Sequence, residues 1–316
     1  MQTQLKPESY PLVSYRHPFT PKDREPMAKL REAGAAFKGH LGVEARDVFD
    51  QMMEMTPDAP GVIYEEVSVG NIPGWWCKPV DALEGAAVLY LHGGAFVAGS
   101  ARAYRHLAGQ LAARAKVAAF VADYRLAPEH RFPAAVEDAA TAYRGLADEG
   151  FTAIALAGDS AGGGLAIAIA SLMVGEARPG SAPRARALAL MSPWTDLALT
   201  GESLETRAET DPFLTKESLA AAANLYLGNQ DARDPQASPL FGKMAGLPPV
   251  RIHVGQDEIL LDDSRRYAER AASNGREVQL HVWEGMTHVF PSSIGTLAAS
   301  ELALDDLGAF LNLNLR

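Results

Sequence analysis

Three residues of this chain have the types and spacing that acyl transfer requires: a serine between glycines, a late histidine, and an acid from the loop one strand before that histidine. Residues 153–164 read as an apolar strand, a GxSxG turn around Ser160 and the start of a helix. Such a nucleophile elbow lifts the hydroxyl above the sheet edge and has room only for glycine on its flanks, where a Cβ would clash. The helix expected over 162–174 aims its free N–H groups at the same point and so favours a developing oxyanion. GxSxG also arises by chance in a glycine-rich chain, so the strand before it and the small-residue helix after it are what support the chemical reading.

A serine nucleophile needs a base beside it and a carboxylate to hold the base's tautomer. His288 follows the last strand, beyond a strand C-terminal end, where a parallel sheet presents its reactive groups. His253 and His281 fall inside strands, and His17, His40 and His106 in helical or irregular stretches; these read as satisfied or solvated histidines. For the carboxylate, the strand 250–255 runs into Asp257, with Glu258 and Asp262 as competitors. Asp257 is the expected acid, since Asp262 suits the N-cap of the helix that begins there. Oxyanion donors are expected from a second loop, His92-Gly93-Gly94-Ala95-Phe96, whose Gly93 and Gly94 N–H groups would join that of Ala161. His92 is expected to brace this loop rather than act as a base.

The elements that must position these groups follow from periodicity. Helical spacing of Met27, Leu30, Ala33 and Phe37, and of Val43, Val48 and Met52, predicts two helices ahead of the sheet, after an irregular proline-rich arm. From residue 62 the period becomes two, then strands alternate with helices, giving eight strands ending with 250–255 and 277–284. That alternation predicts an α/β fold with a mostly parallel eight-stranded sheet flanked by helices. A polar stretch over 196–246, carrying a helix N-capped by Thr215, reads as an insertion.

The chain resembles the hormone-sensitive-lipase family of α/β-hydrolases, the bacterial group IV esterases, from about Val62 to its C-terminus. The family's HGGG stands here as His92-Gly93-Gly94-Ala95, its GDSAGG as Gly158 to Gly163, and residues 123–135 match a further signature. Gly158-Asp159-Ser160 favours the GDSAG subgroup, and the order Ser160, Asp257, His288 is that of α/β-hydrolases. There are two departures: Ala95 replaces the third glycine, narrowing the space for bulky alcohols, and the family's DPL reads Asp257-Glu258-Ile259. The resemblance implies a helical cap from residues 1–55 and 195–245 over a core of 56–194 and 246–316. Phe37, Phe96, Trp194, Phe213, Leu214 and Tyr226 are then candidate pocket walls. It further implies that Asp159 and Glu129 brace the elbow and its neighbouring loop.

The expected activity is that of a serine carboxylesterase acting on short- to medium-chain acyl esters or lactones. An amidase or peptidase on the same triad, and a non-catalytic small-molecule binder, are the rivals; retention of His288 disfavours the binder, because the family's plant hormone receptors lack that histidine. No zinc-spaced ligand cluster or GxGxxG register is present, so neither metal nor cofactor is expected. Across 316 residues with 47% hydrophobic content, the formal charge of −10 is spread without a basic stripe, which argues against nucleic acid. The lone Cys77 excludes an intrachain disulfide, and no apolar run is long enough to span a bilayer, so the expectation is a cytoplasmic protein that does not engage a membrane. A homodimer is compatible with this reading.

Overall fold

The computed structural model describes residues 12–178 and 180–316. In chain order the elements are β1 (Val13–His17), α1 (Pro21–Ala35), α2 (Arg46–Glu54), β2 (Val62–Val69), β3 (Ile72–Pro79) and β4 (Ala86–Leu91). There follow α3 (Ala101–Ala115), β5 (Ala118–Ala122), α4 (Ala134–Asp148), β6 (Ala153–Asp159), α5 (Ser160–Gly175) and β7 (Leu188–Met191). The chain closes with α6 (Ser203–Thr206), α7 (Lys216–Leu227), β8 (Val250–Gly255), α8 (Leu261–Ser273), β9 (Val278–Trp283) and α9 (Ala298–Leu315).

The strands form one sheet of nine in the order β1-β9-β8-β7-β6-β4-β5-β3-β2. β2 and β3 pair antiparallel, as do β3 and β5, and every other pair is parallel. The expectation of eight strands is therefore one short. Val13–His17, read as part of an irregular arm, adds parallel to β9 at the sheet edge, with Val13 opposite Gln279 and His17 opposite Trp283. Its side chains are mostly exposed, so it shows no burial-driven alternation to read. The rest of the arm, residues 1–11, lies outside the described residues.

The central strands are buried on both faces, which is why they read as continuous apolar runs. Val88 and Tyr90 of β4 share an apolar cluster with residues of α3 and α9 on one side, while Leu89 and Leu91 share one with residues of α4, α5 and α8 on the other. Among the described residues no helix is long and apolar enough to cross a membrane. Thr215 caps α7 as expected, its hydroxyl accepting the Ser218 N–H at 3.1 Å in a reciprocal capping box. Asp262 does not cap α8. It lies in the first turn and accepts the Ser203 N–H at 2.8 Å, tying α8 to α6.

Parallel pairing decides what meets at the C-terminal edge. Leu91 of β4 lies opposite Gly158 of β6, and Asp159 opposite Met191 of β7, which in turn faces His253 of β8 and so His281 of β9. The loops after β4, β6, β7, β8 and β9 consequently emerge side by side.

Candidate active site

Ser160 is the first residue of α5 and sits at φ +50°, in the left-handed region that a side chain enters only at a cost of about 1–2 kcal/mol. Close packing holds it there. A Cβ on Gly158 would stand 2.6 Å from the carbonyl oxygens of Gly162 and Leu91, and one on Gly162 would overlap those of Leu91 and His92. The Ser160 carbonyl also accepts the Trp194 N–H at 2.8 Å. The strand-to-helix turn thus packs directly against the end of β4, a fit that only glycines allow.

His288 lies in the loop after β9, with Nε2 2.9 Å from Ser160 Oγ and Nδ1 3.1 Å from Glu258 Oε1. The expectation that Asp257 would hold the imidazole is corrected by this geometry. The Asp257 N–H bonds the Met286 carbonyl at 3.0 Å, and its carboxylate turns outward to Arg31 of α1 at 2.6 Å. The next residue therefore turns inward. Glu258 is fully buried, and its Oε2 accepts the Ser192 hydroxyl at 2.8 Å and the Gly255 N–H at 3.0 Å. Ser192 in turn accepts the Val289 N–H at 3.1 Å, so one hydroxyl after β7 joins the acid's loop to the histidine's. Sequence reasoning missed Ser192; its position at the C-terminal end of a parallel strand was the available signal.

With Ser160 donating to Nε2, the His288 proton sits on Nδ1 facing Glu258. Burial lowers the pKa of this imidazole, but the charge and hydrogen bond of Glu258, with Asp211 and Asp159 adding to them, outweigh burial and the net shift is upward.

The second loop also departs from expectation in one donor. The Gly93 N–H is engaged with Asp159 Oδ1 at 3.1 Å, and is therefore not free for a substrate oxygen. Gly94, Ala95 and Phe96 all take positive φ, at +104°, +54° and +63°. In this turn the N–H groups of Gly94 and Ala95 meet no acceptor among the described residues, and that of Ala161 lies in the first, unpaired turn of α5. The N–H groups left open in this geometry are thus those of Gly94, Ala95 and Ala161, and that of Gly93 is not among them. His92 stacks on Tyr124 at 4.3 Å, and its Nδ1 lies 2.7 Å from the Gly93 carbonyl, which places it as a brace.

Asp159 is buried beneath the elbow, accepting the hydroxyls of Tyr90 at 2.8 Å and Tyr104 at 3.1 Å as well as Gly93 N–H. Burial pushes its pKa up to about 6 against those hydrogen bonds. Asp159 joins elbow to loop as expected. Glu129 instead is exposed and pairs with Arg46 of α2 at 2.8 Å; it reaches the loop only through that arginine, whose Nε donates to the Val97 carbonyl at 2.7 Å.

Of the candidate pocket walls, Phe96 stacks flat on Tyr226 at 3.9 Å, and Trp194 stands 6.3 Å from Phe96, all three buried. Leu214 belongs to the same apolar cluster, and Phe213 packs along Gly34 of α1. Phe37 is half exposed and makes none of these ring contacts. Cys77 lies elsewhere, buried, its thiol donating to the Arg105 carbonyl at 3.2 Å and pushed far up in pKa by desolvation.

A second cluster of chemistry-bearing groups, His253, His281 and Asp306, lies between β8, β9 and α9. The proton of His253 is placed by its partners. The Trp283 indole N–H donates to His253 Nδ1 at 3.0 Å, so a neutral His253 carries its proton on Nε2, 2.9 Å from Asp306 Oδ2. Both Asp306 oxygens also accept from Arg251 at 2.6 Å. A cation would need the lone pair that His253 Nε2 does not have in this tautomer, so the donor set fits a proton network rather than a metal cage.

Comparison with known proteins agrees with this architecture. Residues 88–292 match the family of the alpha/beta hydrolase fold. The chain is 40% identical over 247 residues to an acetyl-hydrolase of Streptomyces hygroscopicus, covering 78% of this chain and 81% of that protein. It is 35% identical over 268 residues to an esterase of Acinetobacter venetianus, covering 84% and 87%. Among solved structures, an esterase from the bacterial hormone-sensitive lipase family superposes with a TM-score of 0.87 at 36% identity, covering 94% of this chain and 99% of that one.

Proposed function

The chain belongs to the hormone-sensitive-lipase family of α/β-hydrolases and is a carboxylic ester hydrolase, and from that premise we propose that it cleaves short- to medium-chain acyl esters or lactones through an acyl-enzyme on Ser160. The observation that carries this reading is the continuous hydrogen-bonded chain from Ser160 Oγ through His288 to Glu258. His288 Nε2 takes the Ser160 proton as Oγ attacks the ester carbonyl carbon. The tetrahedral oxyanion is met by the N–H groups of Gly94, Ala95 and Ala161, each such donor being worth about 10²–10³ in rate. Glu258 keeps the imidazole in the productive tautomer and stabilises its cation. The C–O bond then breaks, His288 returns the proton to the departing alcohol, and water repeats the sequence on the acyl-enzyme.

Of the segments expected to form the cap, residues 18–55 and 195–245 serve as it, whereas β1 (Val13–His17) joins the core sheet beside β9, and the rest of the core lies in 56–194 and 246–316. Phe96, Trp194, Leu214 and Tyr226 are the favoured pocket walls, and their packed aromatic surface supports small acyl groups over long ones. The reading is tested by rapid mixing with p-nitrophenyl esters from acetate to palmitate and with a lactone panel. A burst of nitrophenol, an acyl adduct on Ser160 by mass spectrometry and a preference for short chains are expected. Ester turnover that survives in Ser160→Ala would overturn the acyl-enzyme.

A further inference from the structure

The two residues that flank Glu258 are each gripped by a different part of the proposed cap. On one side, Arg31 of α1 donates from Nη2 to Asp257 Oδ2 at 2.6 Å and to the Gly285 carbonyl at 3.1 Å. Its Nη1 donates to the Thr210 carbonyl at 2.7 Å. One guanidinium therefore joins α1, the acid's loop, the histidine's loop and the 195–245 segment. On the other side, Asp211, fully buried, accepts the Ile259 N–H on Oδ2 at 2.9 Å, while its Oδ1 accepts the N–H groups of Phe213 and Leu214 at 2.9 and 3.0 Å. The chain has Asp257 and Ile259 clamped from above, with Glu258 turned inward between them. Thr210 and Asp211 are consecutive, so both grips meet on one stretch of the cap insertion.

We propose that Arg31 and Asp211 are positioning residues that set the register of Glu258 against His288, so that ordering of the cap is coupled to assembly of the catalytic acid. The proposal rests on the assignment of Glu258 as the acid. Its physical basis is that Asp257 and Glu258 are adjacent carboxylates on a short loop, and the Arg31 pair, half-buried at both ends, makes the arrangement with Asp257 outward the favoured one. Arginine suits the task because its planar fork reaches three acceptors at once, which a lysine ammonium on a flexible stem does not reproduce. A cap that fits its substrate then does more than enclose it: it holds the acid in place during turnover.

The test is a set of steady-state pH–rate profiles on p-nitrophenyl acetate for Arg31→Ala, Arg31→Lys, Asp257→Ala, Asp211→Asn, Glu258→Gln and the Arg31→Ala/Glu258→Gln double variant, with melting curves for each. Arg31→Ala and Asp257→Ala are each expected to lower kcat about 10-fold with a smaller change in KM, and Arg31→Lys to restore part of the loss. In Glu258→Gln, adding Arg31→Ala should cost less than about twofold more, because a residue acting through the acid has nothing left to act on. The acid limb of kcat/KM should move to lower pH in both Arg31→Ala and Asp257→Ala as the imidazolium loses its partner. Direct charge effects would move these two limbs in opposite directions. If Arg31→Ala proves too unstable to assay, Asp257→Ala releases the same pair from the loop side without altering α1. Additive losses in the double variant, or losses confined to KM, would overturn the clamp while leaving the acid assignment standing. Wild-type kcat in Glu258→Gln would overturn the acid assignment itself.

Discussion

His288 Nδ1 meets Glu258 Oε1 at 3.1 Å, while the carboxylate one residue earlier points away from the imidazole toward Arg31 of α1. Glu258→Gln should therefore reduce kcat by about 10²–10⁴ with little change in KM, because the interaction matters mainly as the imidazolium forms. Asp257→Asn should cost far less, about 10-fold at most. Kinetics of the two variants side by side check the assignment, and equal losses would count against it.

The strained Ser160 backbone bears on stability as well as rate. Ser160→Ala should lower ester turnover by roughly 10³ or more while leaving the melting temperature unchanged, since alanine occupies the same left-handed position without gaining or losing packing. An organophosphate should label Ser160 in the native enzyme; a label on another serine would redirect the mechanism.

The pH dependence follows from the net upward shift at His288. Activity needs the neutral imidazole, so a raised pKa moves the acid limb above the ordinary histidine value of about 6.5, with a plateau into mildly alkaline pH. In Glu258→Gln the limb should fall back toward or below that value. A limb at the same pH in both enzymes would mean that another group sets it.

Ala95 occupies φ +54°, where the family has glycine. Ala95→Gly removes a Cβ next to a proposed oxyanion donor and relieves about 1 kcal/mol of backbone strain, offset in part by the freer unfolded chain. The expected result is a near-constant melting temperature and a higher kcat/KM on esters of tertiary alcohols relative to ethyl esters. An unchanged ratio on a matched alcohol series would show that Ala95 does not limit the alcohol site.

Away from the active site, burial lowers the pKa of His17, His253 and His281, the last to about 3. These histidines stay neutral in the fold but take up protons when unfolded. Their contribution to stability should therefore be present in full above about pH 6.5 and be lost as pH falls from there toward the folded-state values. Asp306, held well below the usual carboxylate range once the bonds from His253 and Arg251 outweigh burial, loses its contribution at still lower pH. Between pH 7.5 and 5, read from denaturant midpoints, His281→Asn should lose less stability, or gain more, than the wild type. An identical change in the variant would exclude His281 as a source.

Sequence alone determined the elements whose signals are local. The elbow at Ser160, the glycine loop after β4, the late His288 and the strand–helix alternation each follow from short-range constraints: turn sterics, periodicity and the position of polar residues at strand ends. Thr215 as a helix cap is of the same kind. What lay beyond sequence were choices between neighbours that only long-range contacts make. Asp257 and Glu258 have the same chemistry and differ by one position; Glu258 faces His288, while Asp257 pairs with Arg31, 226 residues away in the chain. Likewise the Gly93 N–H is withdrawn from the open edge of its loop because Asp159, from a different strand, takes it, and the Ala95 N–H stays open. The edge strand β1 exists through pairing with β9 rather than through a buried face of its own. In each case the deciding partner is distant in sequence and adjacent in space, so the orientation of a side chain or N–H group is a property of the packed fold.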